Sequence, residues 1–443
     1  MRVLHLGKYY PPALGGMETF LRDLATAQVA QGLEVRVLAH AERPWRLGNR
    51  EVAEGVHVRR AAILGRLAFA PLAPGYPMAL AGLLADFRPQ VIHAHLPNTS
   101  AFALLGLSAL PEAIRPALVL HWHSDVVTDG SRSLARLYPL YRVFEQALLR
   151  RADAVVATSE PYLQASDSLA AHRAKCRVIS LGLDPLRLPQ PSPSEIAAAR
   201  AHALKHFAKE MWVQGNHFPG GRESERGPSR SGRKCPLSVQ TQIVLGNDGF
   251  LILAAGRFSH YKGFEVLVRA AGLLPEHARV VIAGDGPLRR DLLRLAKELG
   301  VEDRVRMPGS LPEAQLHALM AGCDCFCLPS VARAEAFGLV LAEAMRFGRP
   351  LISSRLIGSG MSVLNEEGIT GLAFEPGNAL ELASAVHRLM DDADLRERLG
   401  QAGRERFDTQ LHIAPVSARM TELYRELTAR AIRRPRRGGK PAA

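Results

Sequence analysis

The stretch FLILAAGRFSHYKGFEVLVRAAGLL, residues 250–274, runs from an unbroken apolar segment through a polar loop with glycines to apolar residues at helical spacing. An apolar run without alternation reads as a strand buried on both faces, and a helix directly behind it makes the first half of a β-α-β unit. The pattern continues through the strand-like ARVVIAGDG (278–286), the helix-like LRRDLLRLAKELG (288–300), and then VRMPGS, CDCFCLPS and PLISS. Such alternation specifies a parallel, doubly wound α/β sheet with ligand chemistry at the strand ends.

Upstream the same grammar appears again. RVLHLG (2–7) precedes a glycine-bearing loop, METFLRDLATAQVAQG (17–32) has helical spacing, and EVRVLAH, VIHAH, ALVLHWH and ADAVVATS are apolar runs ending in polar residues. A chain of 443 residues exceeds one ordinary core, so two such domains facing each other across a cleft are expected. The expected division is 1–187 for a first Rossmann-like domain and 248–408 for a second. Residues 188–247, with LPQPSPS and GNHFPGGRESERGPSRSGRKCP, carry few apolar side chains and read as a partly disordered insertion. Residues 409–430 read as a helix crossing back to the first domain, and 431–443 as a basic disordered tail.

The composition is 47% apolar and 22% charged, with a formal charge of +13, which favours an anionic partner such as a phosphorylated ligand, an acidic surface or a nucleic acid. No nucleic-acid-binding motif is present in either block. The basic tail would suit anionic lipid or a nucleic-acid arm. The stretch AAILGRLAFAPLAPGYPMALAGLLADF (61–87) is cut by Arg66, Pro71, Pro74 and Pro77, so no transmembrane segment is expected. With Arg59, Arg60 and Arg66 it would either rest on a membrane surface or form a buried helix. The start MRVLHLGKYYPP reads as a first strand and loop rather than a signal peptide. Five cysteines, an odd count in a long chain, point to a reducing compartment. The period of two in CDCFC puts Cys323, Cys325 and Cys327 on one strand face as small buried groups, not as a metal site.

Chemistry concentrates in two places. In SVARAEAFGLVLAEAM (330–345), Glu335 and Glu343 stand eight positions apart around an apolar run. At ~1.5 Å per residue that is ~12 Å on a helix, about the reach from a transferred sugar to the ribose of its nucleotide. A helix start between them would seat a phosphate, and Gly338 would let the backbone approach it. The plain alternative is a helix-dipole partner and a solvated helix face. In GRFSHYKGFEVL, Arg257 and Lys262 lie between a strand and a helix, where an anion would sit.

The ordered set AGRFSHYKGFEVLVRAA, VIAGDGPLRRDL, EAFGLVLAEAMRFGRPLI and GITGLAFEPGN resembles the C-terminal half of retaining glycosyltransferases of the GT-B fold, family 4, and YPPALGGMETFLRDLA resembles their N-terminal loop. The resemblance implies two facing Rossmann-like domains, 1–187 binding the acceptor and 248–408 the nucleotide sugar. It implies that Arg257 and Lys262 hold the diphosphate, that Glu335 binds donor-sugar hydroxyls and Glu343 the ribose, and that Phe337, Gly338 and Leu339 line sugar and phosphate. Gly15 and Gly16 would close over the phosphates from the opposite domain. Ala336 stands where many members carry glycine. In LHWHSD, the family's sugar-contacting histidine corresponds to His123, although His121 shares its strand face; Ser124 and Asp125 also suit a cap for the next helix. His93 and His95 would line the acceptor side.

LHWHSDVV, KCRVISLGLDP and SSRLIGSGMSVLN further resemble bacterial O-antigen and exopolysaccharide enzymes that use GDP-mannose or GDP-rhamnose. The resemblance thus implies a hexosyltransferase acting with retention and without metal or other cofactor. Its donor would be a nucleotide diphosphate sugar and its acceptor a lipid-linked saccharide of lipopolysaccharide or exopolysaccharide synthesis. It would be cytoplasmic, with peripheral contact to anionic membrane at the inner face. A nucleotide-sugar 2-epimerase of the same fold, and a non-catalytic sugar-nucleotide-binding protein, are the competing expectations.

Overall fold

The computed structural model describes residues 1–433 except 14, 45–48, 68–69, 110, 112–113, 129–131 and 206–248. Cys235, most of the Gly/Ser/Arg-rich insertion and the tail from 434 onward lie outside the described residues.

The first half runs β1 (Arg2–Leu6), α1 (Gly16–Ala30), β2 (Glu34–His40), β3 (Arg50–Ala53), β4 (Val56–Ala61), β5 (Gly65–Leu67), β6 (Ala70–Leu72), α2 (Tyr76–Phe87), β7 (Val91–Leu96), β8 (Ala117–Trp122), α3 (Arg132–Arg151), β9 (Ala154–Ala157), α4 (Glu160–Ala165), β10 (Cys176–Val178). Its eight-stranded sheet has the order β10-β9-β8-β7-β1-β2-β4-β3, parallel except for β3, while β5 and β6 pair apart as a hairpin. The second half runs α5 (Pro193–Lys205), β11 (Phe250–Ala255), α6 (Phe264–Ala271), β12 (Ala278–Ala283), α7 (Arg289–Glu298), β13 (Val305–Gly309), α8 (Glu313–Gly322), β14 (Cys325–Leu328), α9 (Leu339–Arg346), β15 (Leu351–Ser354), α10 (Met361–Leu364), β16 (Gly371–Phe374), α11 (Ala379–Asp391), α12 (Ala393–Arg406) and α13 (Ile413–Arg433). Its six strands stand in the order β13-β12-β11-β14-β15-β16. Chain direction away from the starting strand reverses between β11 and β14, and between β1 and β7 in the first sheet. A crevice opens outside the carboxyl ends of strands at such a switch point.

The central strands β7, β8 and β11 are buried at every residue, which is why they read as continuous apolar runs. The chain crosses between the halves beside Leu183, whose amide donates to Leu411 O at 2.8 Å and whose carbonyl accepts from Ile413 N at 2.9 Å. Helix α13 then returns to the first half and packs on α1 and β8.

Three expectations need correction, and of the two alternatives for 61–87 the buried helix is the one found. Within the supposed insertion, 193–205 folds as α5. Ser192 and Glu195 exchange hydrogen bonds in a capping box, and Ala199 and Ala203 are buried while Arg200 donates to Gly322 O at 2.7 Å. The three clustered cysteines do not share a face: Cys325 and Cys327 lie in one core and Cys323, which ends α8 before the strand begins, in another. The 61–87 stretch is a hairpin followed by α2, with Tyr76, Ala79, Leu80, Leu83 and Phe87 buried. Arg60 is held by Glu51 at 2.5 Å, Arg59 donates to Ala79 O at 3.2 Å and Arg66 to Glu42 O at 2.7 Å, so all three arginines are engaged by protein. Finally, α9 begins only at Leu339, so half of the interval from Glu335 to Glu343 is not helical and the ~12 Å axial spacing does not apply. No described helix is long and apolar enough to cross a membrane.

Candidate active site

Two loops flank the switch point of the second sheet. After β11 the chain makes a short turn, His260–Lys262, and enters α6 through Gly263 at φ 62°. A Cβ there would stand 2.1 Å from Pro329 O, so the Lys262 loop can lie against the end of β14 only with glycine at 263. That approach brings Lys262 Nζ to 2.5 Å from Glu335 Oε2, both side chains being 11% exposed. Ser330 Oγ donates to the same carboxylate oxygen at 3.2 Å. Burial would lower the Lys262 pKa, but the Glu335 carboxylate outweighs it and holds the ammonium above its usual value.

Arg257, also after β11, is exposed and makes no ion pair among the described residues. It faces Lys8 at the end of β1 in the first half. Burial, and the charges of Arg66 and Arg257, push the Lys8 ammonium below its ordinary pKa, while Glu18 pulls the other way. The ends of β1 and β11, the first strands of the two sheets, thus converge with a positive lining. Gly16 opposes Leu339 across the cleft: a Cβ built on it would touch Leu339 Cδ2 at 3.6 Å. Glu18 tucks under Gly15 and is buried, which raises its pKa. Gly338 caps α9 at φ 80°, with Phe337 buried just before it.

Glu343 is not a solvated helix-face residue. Burial raises its pKa, and Arg187 Nη2 sits 3.5 Å from it. Arg187 also contacts Asp23 of α1 at 3.3 Å, tying the two halves together. Among the described residues Asp125 caps no helix. It receives Arg333 Nη2 from the opposite half at 2.5 Å, along with Trp122 Nε1 at 2.9 Å and Ser166 Oγ at 2.6 Å.

His123 directly follows β8 and is 8% exposed, whereas His121, within the strand, is fully buried. His93 and His95 do not line an acceptor surface. They are fully buried, because the register aligns His5 with His93 and His95 with His121 on one sheet face beneath α1 and α13. Burial pushes His123 down to about 3 and His5 to about 4, so the stack is neutral at ordinary pH. Lys8, Arg187, Arg333 and Tyr424 escaped sequence reading. Lys8 alone had a local signal, a cation directly after a first strand.

Comparison with known proteins agrees with the two-domain α/β fold. Residues 15–182 match the glycosyl transferase 4-like domain and residues 240–406 the glycosyl transferases group 1 domain, together about three quarters of the chain. The O-antigen chain mannosyltransferase C of Escherichia coli is 27% identical over 92% of this chain and 94% of its own. The D-rhamnosyltransferase WbpZ of Pseudomonas aeruginosa is 27% identical over 92% and 91%. The structure of a sucrose-phosphate synthase from Thermosynechococcus elongatus superposes with a TM-score of 0.73 over 97% of this chain and 99% of that one, at 24% identity. By its two matched domains and its fold, the chain belongs to the group 1 glycosyltransferases with GT-B architecture.

Proposed function

We propose that the protein transfers a mannosyl or rhamnosyl group, with retention, from a GDP-linked donor to a lipid-linked glycan in cell-surface polysaccharide synthesis. The observation that carries this reading is the convergence of Lys8, Arg257 and the Lys262–Glu335 pair at facing switch points. The mannosyl- and rhamnosyltransferase relatives support the choice of sugar.

In this mechanism Arg257 and Lys262 meet the donor diphosphate, and with the amides at the Gly338 end of α9 they offset the charge that grows on it as the sugar leaves. No divalent metal is assigned a part. Glu335 accepts hydroxyls of the donor sugar, and Lys262, its counterion, holds the carboxylate in place. Glu343, oriented by Arg187, accepts the ribose hydroxyls. Gly15 and Gly16 admit the phosphates close to the start of α1, and His123 meets the sugar from the first half. Retention without a protein nucleophile follows from front-face attack. The acceptor oxygen bonds to the anomeric carbon on the side the diphosphate leaves, and its proton passes to a departing phosphate oxygen.

An acceptor on a membrane calls for a surface to rest there. On α3, Leu137, Leu140, Val143 and Phe144 form an apolar stripe, 41–62% exposed, with Arg136 and Arg142 also exposed beside it. That combination suits the headgroup boundary of an anionic bilayer.

The test is a donor panel of GDP-mannose, GDP-rhamnose, UDP-glucose and UDP-N-acetylglucosamine, with and without a membrane-lipid extract. Acceptor-dependent GDP release from one donor is the expected result. Acceptor-free conversion of a UDP sugar would mean an epimerase, and nucleotide binding without turnover on any acceptor a binding protein.

A further inference from the structure

Four of the five stacked histidines, His93, His5, His95 and His123, are joined in single file through Tyr424 and Gln28, and the file reaches His123 from the C-terminal helix. Tyr424 Oη lies 2.6 Å from His93 Nδ1 and 3.2 Å from Gln28 Nε2. Gln28 Oε1 lies 2.8 Å from His5 Nε2, His5 Nδ1 lies 3.1 Å from His95 Nε2, and His95 Nδ1 lies 2.9 Å from His123 Nε2.

A neutral imidazole has one N–H and one lone pair, so each link fixes the next. Gln28 donates to Tyr424 and therefore accepts from His5 Nε2–H. His5 Nδ1 is then an acceptor for His95 Nε2–H, and His95 Nδ1 an acceptor for His123 Nε2–H. The 2.6 Å contact at His93 suits an O–H donor better than an N–H one, which points the phenol proton to His93 and its lone pairs to Gln28. This polarity leaves His93 Nε2–H without a partner. Reversing it requires every member to turn over together.

We propose that the chain Tyr424–Gln28–His5–His95–His123 fixes the tautomer of His123, so that its Nδ1 lone pair, an acceptor, is what the cleft receives. Tyr424, Gln28, His5 and His95 are positioning residues in this scheme. The chain does not conduct protons, because the Gln28 carboxamide in its path neither takes up nor releases one. For the reaction, the consequence rests on the reading that His123 meets the donor sugar: a sugar hydroxyl must donate to it. Nitrogens of two histidine triplets, His5/His93/His95 and His95/His121/His123, also lie within 4.8 Å of one another. The rings of His95, His121 and His123 are stacked within 8–23° of parallel, so their in-plane lone pairs run side by side instead of converging tetrahedrally on an ion.

The test is histidine tautomer assignment by nitrogen-15 NMR of the full chain at neutral pH, with His123→Asn identifying the His123 signals. The expected result is the Nε2–H form at His123 in the unaltered protein. Tyr424→Phe, which keeps the ring, should bring a second tautomer into His5, His95 and His123 together, and Gln28→Leu should do the same. Turnover should then fall with the competent fraction, about twofold for an even mixture, while GDP affinity stays unchanged. An Nδ1–H His123 in the unaltered protein, or a His123 unmoved when His5 responds, would overturn the proposal. Stoichiometric zinc binding with shifts at His95, His121 and His123 would replace it with a metal site. The tautomer readout needs no donor sugar, so it stands or falls apart from the donor panel.

Discussion

Lys262 and Glu335, assigned to the diphosphate and the donor sugar, are each other's counterion at 2.5 Å in a largely buried setting. Substituting either one alone therefore changes two things at once. Glu335→Ala removes the sugar contact and also strands a buried ammonium, which costs about 3 kcal/mol for a pair of this kind.

Glu335→Gln and Lys262→Met should each lower the urea midpoint. The double variant should recover much of that loss, because no unpaired charge remains. A double-mutant cycle measures the coupling directly. Additive losses would mean that the pair contributes nothing beyond its separate members. For nucleotide binding, Lys262→Met should weaken GDP affinity, whereas Glu335→Gln should leave it unchanged while transfer is lost.

Arg333 and Asp125 join the two halves by a charge-assisted hydrogen bond, and the Arg333 guanidinium also lies 5.3 Å from the centre of the Tyr162 ring. Arg333→Ala should loosen the cleft at a cost of about 2 kcal/mol in the closed arrangement. The expected signature is a larger radius of gyration in solution scattering and a raised donor KM. An unchanged radius would place the coupling of the halves at Arg187 and the 183/412 crossing instead.

What could be read from the sequence and what could not divide along one physical line. Arg257, Lys262, Glu335 and Gly338 were legible because strand, loop and helix follow one another locally, so the position of a loop residue at the sheet's edge follows from its order in the chain. The partners of those residues were not. Arg333 meets Asp125 across 208 positions and Tyr424 meets His93 across 331, distances over which no periodicity operates. The histidines illustrate both halves of the point. Their period of two correctly put His121 and His123 on one face, but the register that stacks β1 and β7 beside them, and α13 over them, is a tertiary fact. The α5 capping box was visible as Ser192-Pro193-Ser194-Glu195, yet the surrounding proline and glycine content masked it.

The neutral histidine stack should make stability depend on pH. His5 and His123 titrate at about 4 and about 3 in the folded chain against 6.5 when exposed, so the unfolded chain binds more protons below neutrality. Their stabilisation is complete above pH 6.5 and is lost as pH falls from there toward the folded values. At about pH 5 each such histidine removes about 2 kcal/mol relative to neutral pH. Glu145, raised to about 7 by burial, acts in the opposite sense, its contribution being present below 4.5 and lost as pH rises through 7. Burial raises Glu18, Asp23 and Glu343 in the same sense as Glu145, but the five histidines of the stack, with His40, His172 and His317 also depressed, outnumber these four carboxylates, so denaturant midpoints should fall between neutral pH and about pH 5. A flat profile would mean that the stack is hydrated or already charged.

The α3 stripe should decide membrane contact. Leu140 and Val143 are 61% and 62% exposed, and burying both in a headgroup boundary releases apolar area that nothing else in the described structure covers. Their replacement by Asp should cost the folded protein little, because neither packs against the core, but it should repel an anionic surface. Cosedimentation with vesicles containing anionic lipid is expected to capture the unaltered protein and to lose the Leu140→Asp/Val143→Asp variant by at least tenfold. Arg136→Glu/Arg142→Glu should lose binding mainly at low salt, since those charges act within a Debye length of about 10 Å. Equal binding to neutral vesicles would assign the stripe a purely apolar role. A concentration-dependent dimer abolished by the same aspartates, with no vesicle binding, would instead make the face a contact between two copies of this chain.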